Sequence, residues 1–167
     1  IKICRYNYNS KLRLLMNKWI YLKKEINSIN DFDKDVMGFV YKVTHIPSGK
    51  SYIGKKFLVH TQKRKLAKKD LKIYEGTPGR KPKYKIVSKE SDWKTYYGSN
   101  KQLLELLKTE DKSNFKREIL KLCTNKKKLT YFETKYQFCM EVLENPDEYF
   151  NDNILGKFFT RDFGSVN

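Results

Sequence analysis

Apolar side chains along the first thirty residues recur at roughly helical spacing: Leu12, Leu15, Met16, Trp19, Ile20 and Leu22. Ser10 stands where an N-cap belongs, so the pattern predicts a helix over 10–29. The polar run from Asn27 to Asp35 reads as a linker. Residues 1–36 are therefore expected to form an N-terminal helical extension. It either packs on the main domain or leads from a further domain ahead of Ile1, since the chain does not begin with Met.

The next segment changes period. Gly38-Phe39-Val40-Tyr41-Lys42-Val43-Thr44 is rich in β-branched and aromatic residues, as strands are. Pro47-Ser48-Gly49 signals a turn, and Ser51-Tyr52-Ile53, closed by Gly54, reads as the second arm of a hairpin. Part of the stretch from Thr61 to Leu71 reads as helical, and residues 76–79 as a loop. Ser99 and Gln102 form a capping-box pattern ahead of Leu103, Leu104, Leu106 and Leu107. Asn114 to Cys123 reads as a strand. Lys126 to Leu143 is the longest helical pattern, ended by Asn145-Pro146, and the aromatic tail from Tyr149 onward looks irregular. This order predicts an α+β fold, with a small central antiparallel sheet flanked by helices. The main domain is expected over 37–167, carrying a basic insertion at about 55–92.

Charge narrows the choice of partner. The chain has 36 Lys and Arg against 19 Asp and Glu, a formal net charge of +17. Such an excess attracts polyanions, and nucleic acid is the foremost of these. The apolar stretch from Leu12 to Leu22 is too short and too interrupted by charge to span a bilayer, so no membrane partner is expected. Three widely spaced cysteines and two histidines argue against a disulfide framework or a Cys/His zinc site, and fit an intracellular protein.

The residues able to do chemistry are few. Tyr41 and Tyr52 lie eleven residues apart on the two arms of the hairpin, and Tyr52 is followed closely by Lys55 and Lys56. A tyrosine pair on a hairpin is ordinarily packing, but here the hydroxyls neighbour a phosphate-attracting cluster. In the long helix, the stripe Leu129, Phe132, Tyr136, Met140 and Leu143 puts Glu133 on the inward side or its edge. A carboxylate there needs a partner. It is either salt-bridged to a lysine or a ligand for a hard divalent cation. Asn151-Asp152-Asn153 reads as a turn, as an amide set beside such a cation, or as an anchor for the helix that carries Glu133. The near P-loop string from Gly49 to Lys56 lacks the required Ser/Thr and reads as strand, so it is set aside.

Taken in order, Phe39-Val40-Tyr41, Tyr52-Ile53-Gly54, Tyr97-Gly98-Ser99, Asn114-Phe115, Glu118-Ile119-Leu120, Glu133 and Asn153-Ile154 resemble the GIY-YIG nuclease superfamily. The branch they resemble is the phage and free-standing homing-type endonucleases, and the likeness covers about residues 37–156. The resemblance implies a metal-dependent DNA endonuclease that hydrolyses phosphodiester bonds with one Mg²⁺ or Mn²⁺ per active site. In that reading Tyr41 positions or deprotonates the attacking water. Tyr52 orients the same water or the phosphate, Glu133 holds the metal, and Asn153 supports the fold around it. Two departures stand out. Phe39 replaces the family's first glycine, and its arginine has no clean counterpart. Arg64 is the nearest candidate, Lys56 or Lys55 can substitute as a point charge, and His60 can enter as a proton carrier.

Duplex DNA is the expected substrate. It would be tracked by Lys55, Lys63, Lys65, Lys68, Lys69, Arg80, Lys81, Lys83, Lys85, Lys126, Lys127 and Lys128. One metal site per chain implies self-association on DNA, or two successive events, for a double-strand cut. Two other readings explain the charge: a non-catalytic nucleic-acid-binding module on the same fold, and an RNA-binding structural protein. Intact Tyr41, Tyr52 and Glu133 weigh against the first, and the ordered motif weighs against the second.

Overall fold

Strand β1 (Trp19–Tyr21) turns back through Leu22 and Lys23 into β2 (Lys24–Ile26). The structure is a computed structural model and describes residues 18–75, 78–80 and 82–163. It corrects the helix expected over 10–29. Residues 10–17 lie outside the described residues, and 19–26 form a hairpin. Both turn residues have positive φ, 48° at Leu22 and 65° at Lys23. That is the backbone of a tight two-residue hairpin turn, for which neither residue type gives a sequence signal. Trp19 drives the choice of strand. It is buried and meets Phe39 edge-on at 5.0 Å, and its indole Nε1 donates to the Trp93 carbonyl at 2.7 Å.

The described residues form two compact units, one comprising 18–58 and 92–163, the other lying within Val59–Ser91. In the first, β1 and β2 join β3 (Gly38–His45), β4 (Ser51–Phe57) and β7 (Phe115–Cys123) in a five-stranded sheet of order β2-β1-β7-β3-β4. The sheet is mixed rather than purely antiparallel, because β1 runs parallel to β7 while the other pairs are antiparallel. Its use of Trp19–Tyr21 also draws the main unit back before residue 37.

Alternation along β3 and β4 gives the sheet two different faces. Phe39 and Tyr41 point to one side, into an aromatic core with Trp19, Phe32 and Trp93. Val40 and Ile53 belong to a second cluster with Leu129, Val142 and Leu143, on the side covered by helix α3 (Lys126–Cys139). Cross-strand neighbours share a face, and Tyr41 is opposite Gly54 with Val43 opposite Tyr52. The two tyrosines therefore stand on the aromatic side, while Glu133 comes from the helix on the other. Strand β4 is the edge strand between them.

Several element boundaries differ from expectation. Strand β4 runs to Phe57, so Gly54 is an interior residue and Lys55 and Lys56 are strand residues. Helix α2 (Lys101–Thr109) is capped by Asn100, whose Oδ1 accepts from the Leu103 N–H at 3.1 Å, rather than by Ser99. Helix α3 ends at Cys139, and Val142 and Leu143 reach the core from a turn in which Glu141 has φ of 50°. The tail is ordered into a small hairpin of β8 (Asn153–Ile154) and β9 (Phe158–Phe159), then a short helix at Thr160–Phe163.

The second unit is a two-stranded antiparallel ribbon, β5 (Val59–Lys65) and β6 (Tyr84–Glu90). In the span from 61 to 71, expected to be helical in part, residues 61–65 are strand. Only Lys68–Leu71, helix α1, is α-helical. Among the described residues no helix is long and apolar enough to cross a membrane.

Candidate active site

Among the described residues no further strand continues the sheet beyond β4, and backbone covers only the start of its outer edge: the Ser51 N–H donates to the Glu148 carbonyl and the Phe150 N–H to the Ser51 carbonyl, each at 2.8 Å. At Ile53 side chains take over. Asn151 accepts from the Ile53 N–H at 2.9 Å and donates to the Ile53 carbonyl at 2.8 Å. Gln137, from α3, donates to the same carbonyl at 3.2 Å. Both side chains are buried. This fixes the edge of the sheet where an open cleft of about 470 Å³ forms. The cleft is lined by Tyr52, Lys55, Ser99, Lys101, Glu133 and Asp152 among others.

Tyr41 reaches this edge by lying across Gly54. A Cβ at residue 54 would sit 2.6 Å from the Tyr41 hydroxyl oxygen and 2.9 Å from Tyr52 Cε1. The glycine is thus a steric requirement: without it neither phenol keeps its position. The Tyr41 and Tyr52 ring centroids are 6.2 Å apart, and the Tyr52 hydroxyl shares a 3.2 Å hydrogen bond with Ser99. Ser99 is available for that bond because Asn100 caps α2 in its place. Gly98, with φ of 140°, lets the chain pass against the Tyr52 ring, where a Cβ would lie 3.0 Å from two ring carbons.

Tyr96 packs edge-on against Tyr41 at 6.0 Å. Lys56 Nζ lies 3.6 Å over the Tyr96 ring and pairs with Asp92 at 2.6 Å. The segment bearing Tyr96 is held by Arg117. This buried guanidinium donates from Nη1 to the Lys94 carbonyl at 2.8 Å and the Tyr96 carbonyl at 3.1 Å, between the rings of Trp19 and Tyr97. Burial pulls its pKa down.

Burial also pushes the Tyr41 hydroxyl well above the usual tyrosine range, and neighbouring Tyr52, Tyr96 and Glu133 add to the effect. Tyr52 is raised as well, chiefly by burial, partly offset by its bond to Ser99. At neutral pH both tyrosines are therefore neutral hydroxyls, able to donate or accept a hydrogen bond.

Across the edge strand, Glu133 Oε2 pairs with Lys55 Nζ at 2.7 Å, and the same ammonium donates to Thr130 Oγ1 at 3.1 Å. The salt bridge foreseen as one possibility for Glu133 thus exists. It does not remove the carboxylate from the cleft, whose wall Glu133 still lines. Among the described residues no group of three or more His, Cys, Asp or Glu gathers to hold a metal. The available donors are hard oxygens, Glu133 with Asp152 and neighbouring amides. They suit a cation such as Mg²⁺, which keeps several waters and takes one or two carboxylates.

The structure brings together Tyr41, Tyr52, Lys55 and Glu133, with Lys56 close behind. Asn153 lines the cleft, but its side chain serves the tail hairpin, donating to Asp152 Oδ1 and accepting from the Gly156 N–H. The bridging amide is that of Asn151. Arg64 and His60 lie on β5 in the second unit, exposed, and all the residues lining the cleft come from the first. Lys63 and Lys65 share that strand. Lys68 and Lys69 are on α1, Arg80 and Lys83 are exposed in the connecting loop, and Lys85 pairs with Asp70 at 2.8 Å. Lys81 lies outside the described residues. Lys126, Lys127 and Lys128 form the exposed first turn of α3.

Sequence reasoning missed Gln137 and Tyr96, and it named Ser99 as a cap and Asn151 within a turn or amide cluster without their bonds to Tyr52 and Ile53. Asn151 had a signal, since a polar residue beside the buried Phe150 must bond to something. Gln137 and Tyr96 had none without the tertiary contacts.

The family model described as "Putative endonuclease segE, GIY-YIG domain" matches residues 19–154. No curated protein and no solved structure matches the chain.

Proposed function

The chain belongs to the GIY-YIG endonuclease family, and from that premise we propose that it is a divalent-metal-dependent, homing-type endonuclease acting on duplex DNA. The observation that carries this reading is the convergence on one edge strand. The Tyr52 hydroxyl enters an open polar cleft from one face of the sheet, with the buried Tyr41 packed behind it, and the Glu133 carboxylate lines the same cleft from the other.

Each residue has a role that its surroundings allow. Tyr52, which lines the cleft, orients the attacking water or a phosphate oxygen through a hydrogen bond, and the buried Tyr41 packs behind it; their raised pKa values leave both protonated. Ser99 fixes the direction of the Tyr52 hydroxyl. Glu133 would hold Mg²⁺ or Mn²⁺, with Asp152 close by. When bound, the ion would polarise the phosphate and supply positive charge where negative charge develops. Lys55 supplies a fixed cation on the same wall of the cleft, and charge of that sign stabilises the transferring phosphate. Lys56 occupies the neighbourhood in which the family's arginine is otherwise missing, but it is already engaged by Asp92 and Tyr96. The exposed lysines at the start of α3 contact backbone phosphate.

The test is cleavage of supercoiled plasmid and phage genomic DNA with Mg²⁺ or EDTA, comparing the natural chain with Glu133→Ala and running gel-shift binding in parallel. Cutting that EDTA abolishes, with a variant that binds but does not cut, is the expected result. Binding without cutting by both proteins favours a non-catalytic module. The Lys55–Glu133 pair gives that alternative some support, since it neutralises the central carboxylate.

A further inference from the structure

The ribbon of the second unit is unusual for what it leaves uncovered. An isolated two-stranded hairpin is marginal in water unless one face packs on something. Here both strands are exposed along nearly their whole length on both faces. Register sorts the side chains. Gln62 is opposite Val87, Arg64 opposite Lys85, and His60 opposite Lys89, so these six share one face. Among the described residues neither the Gln62 nor the Arg64 side chain makes a hydrogen bond or an ion pair. The acids of the whole unit are Asp70, Glu75 and Glu90 against many lysines and arginines, so the ribbon complements a polyanion.

Size and chemistry then select among polyanions. The major groove of B-DNA, about 12 Å wide, admits a two-stranded ribbon, whereas the minor groove, about 6 Å wide, does not. Residues two apart on a strand are about 6.8 Å apart, or roughly two base-pair steps of duplex DNA. Arginine pairs in bidentate fashion with guanine O6 and N7, and glutamine with adenine N6 and N7. Resting on the endonuclease reading above, we propose that the β5–β6 ribbon is the target-reading element, inserted into the major groove with Arg64 and Gln62 facing base edges and Lys89 facing phosphate, while Lys85 stays paired with Asp70. Arg64 and His60 then belong to recognition rather than to the reacting centre.

The experiment is selection of bound sequences from a randomised DNA duplex library with the full chain in EDTA. Binding is then read whether or not the protein cuts. The natural chain is expected to enrich a short motif with a guanine and an adenine about two steps apart. Arg64→Ala should relax the guanine and Gln62→Ala the adenine, each by roughly ten- to a hundredfold in discrimination. The opposite-face double variant Thr61→Ala/Ile86→Ala should keep the motif. Methylation of guanine N7 should block binding, and a minor-groove ligand should not. A motif unchanged in both Arg64→Ala and Gln62→Ala, no motif at all, displacement by the minor-groove ligand alone, or equal competition by duplex RNA would each overturn the proposal. Far-ultraviolet circular dichroism confirms that the variants fold. The separate plasmid assay in Mg²⁺ decides the nuclease reading, so either idea can fail while the other stands.

Discussion

Asn151 holds Ile53 by both backbone groups, accepting from its N–H at 2.9 Å and donating to its carbonyl at 2.8 Å. The amide acts as a one-residue strand at the edge of the sheet, immediately before Gly54. Asn151→Ala leaves a buried N–H without its partner and the carbonyl with Gln137 alone. An unsatisfied buried group costs about 1–3 kcal/mol, so the urea midpoint should fall by the equivalent of one such loss. Asn151→Asp keeps the acceptor but sets a carboxylate against the Ile53 carbonyl, and should be at least as damaging. An unchanged midpoint in both variants would show that the edge is held by other contacts.

Gly54 separates chemistry from folding. An added methyl would lie 2.6 Å from the Tyr41 hydroxyl oxygen, so the two phenols must shift. A misplacement near 1 Å at reacting groups costs on the order of a hundredfold in rate. Gly54→Ala should therefore cut kcat by roughly that factor while retaining DNA binding. Gly49→Ala is the control. Gly49 has φ of 74° with nothing near its missing Cβ, so that variant should lose stability only, about 1 kcal/mol. Equal activity of the two variants would remove the steric argument.

The raised pKa values of Tyr41 and Tyr52 make a prediction at alkaline pH. A folded-state pKa above the unfolded value of 10.0 means that unfolding favours proton release. The stability this confers is complete below pH 10 and is lost as pH rises through the folded-state values. Absorbance titration near 295 nm should show tyrosines that ionise late, together with a loss of thermal stability above pH 10. Tyr41→Phe should remove part of both signals. Tyrosines that all titrate near 10 in the folded protein would contradict the burial argument.

How much of this was legible in sequence depended on whether the signal was local. Strands β3 and β7 were legible because their β-branched and aromatic runs satisfy a strand whichever neighbour they find. Glu133 was legible because helical period fixes its face. The β1–β2 hairpin was not: Leu12 to Leu22 has helical spacing, and only long-range contacts of Trp19 with Phe39 and Trp93 select strand. Arg64 was assigned by its distance along the chain, which says nothing once the intervening segment folds as a separate unit. Asn151 and Asn153 are two residues apart and chemically identical. Only the position of the Ile53 backbone distinguishes them.

The turn at Leu22 and Lys23 has the wrong residues for its backbone. Both sit at positive φ, and Leu22 is exposed, so no packing compensates. A left-handed conformation costs a residue with a side chain roughly 1–2 kcal/mol. Leu22→Asn with Lys23→Gly supplies the sequence this turn prefers. The double variant should melt higher by several degrees with unchanged cleavage. A lower melting temperature would mean that the residues stabilise this conformation in a way the turn geometry does not reveal.

Lys55 and a divalent ion make competing claims on Glu133. The ammonium stands 2.7 Å from Oε2, with the two side chains 28% and 15% exposed. Replacing Lys55 by Met removes the cation but leaves a mostly buried carboxylate. Breaking a fully buried pair costs about 3–5 kcal/mol. Partial exposure lets solvent screen this one, so a loss nearer ~1 kcal/mol is expected. That loss should appear in EDTA. A divalent ion that binds the folded state restores stability in proportion to its affinity, and its affinity should rise once the competing lysine is gone. Thermal melts in EDTA and in Mn²⁺ should therefore show a larger Mn²⁺ stabilisation for Lys55→Met than for the natural chain. Adding Glu133→Gln to the same variant should abolish the difference. If Mn²⁺ stabilises Lys55→Met no more than the natural chain, then the lysine and the metal do not compete, and Glu133 serves the lysine alone.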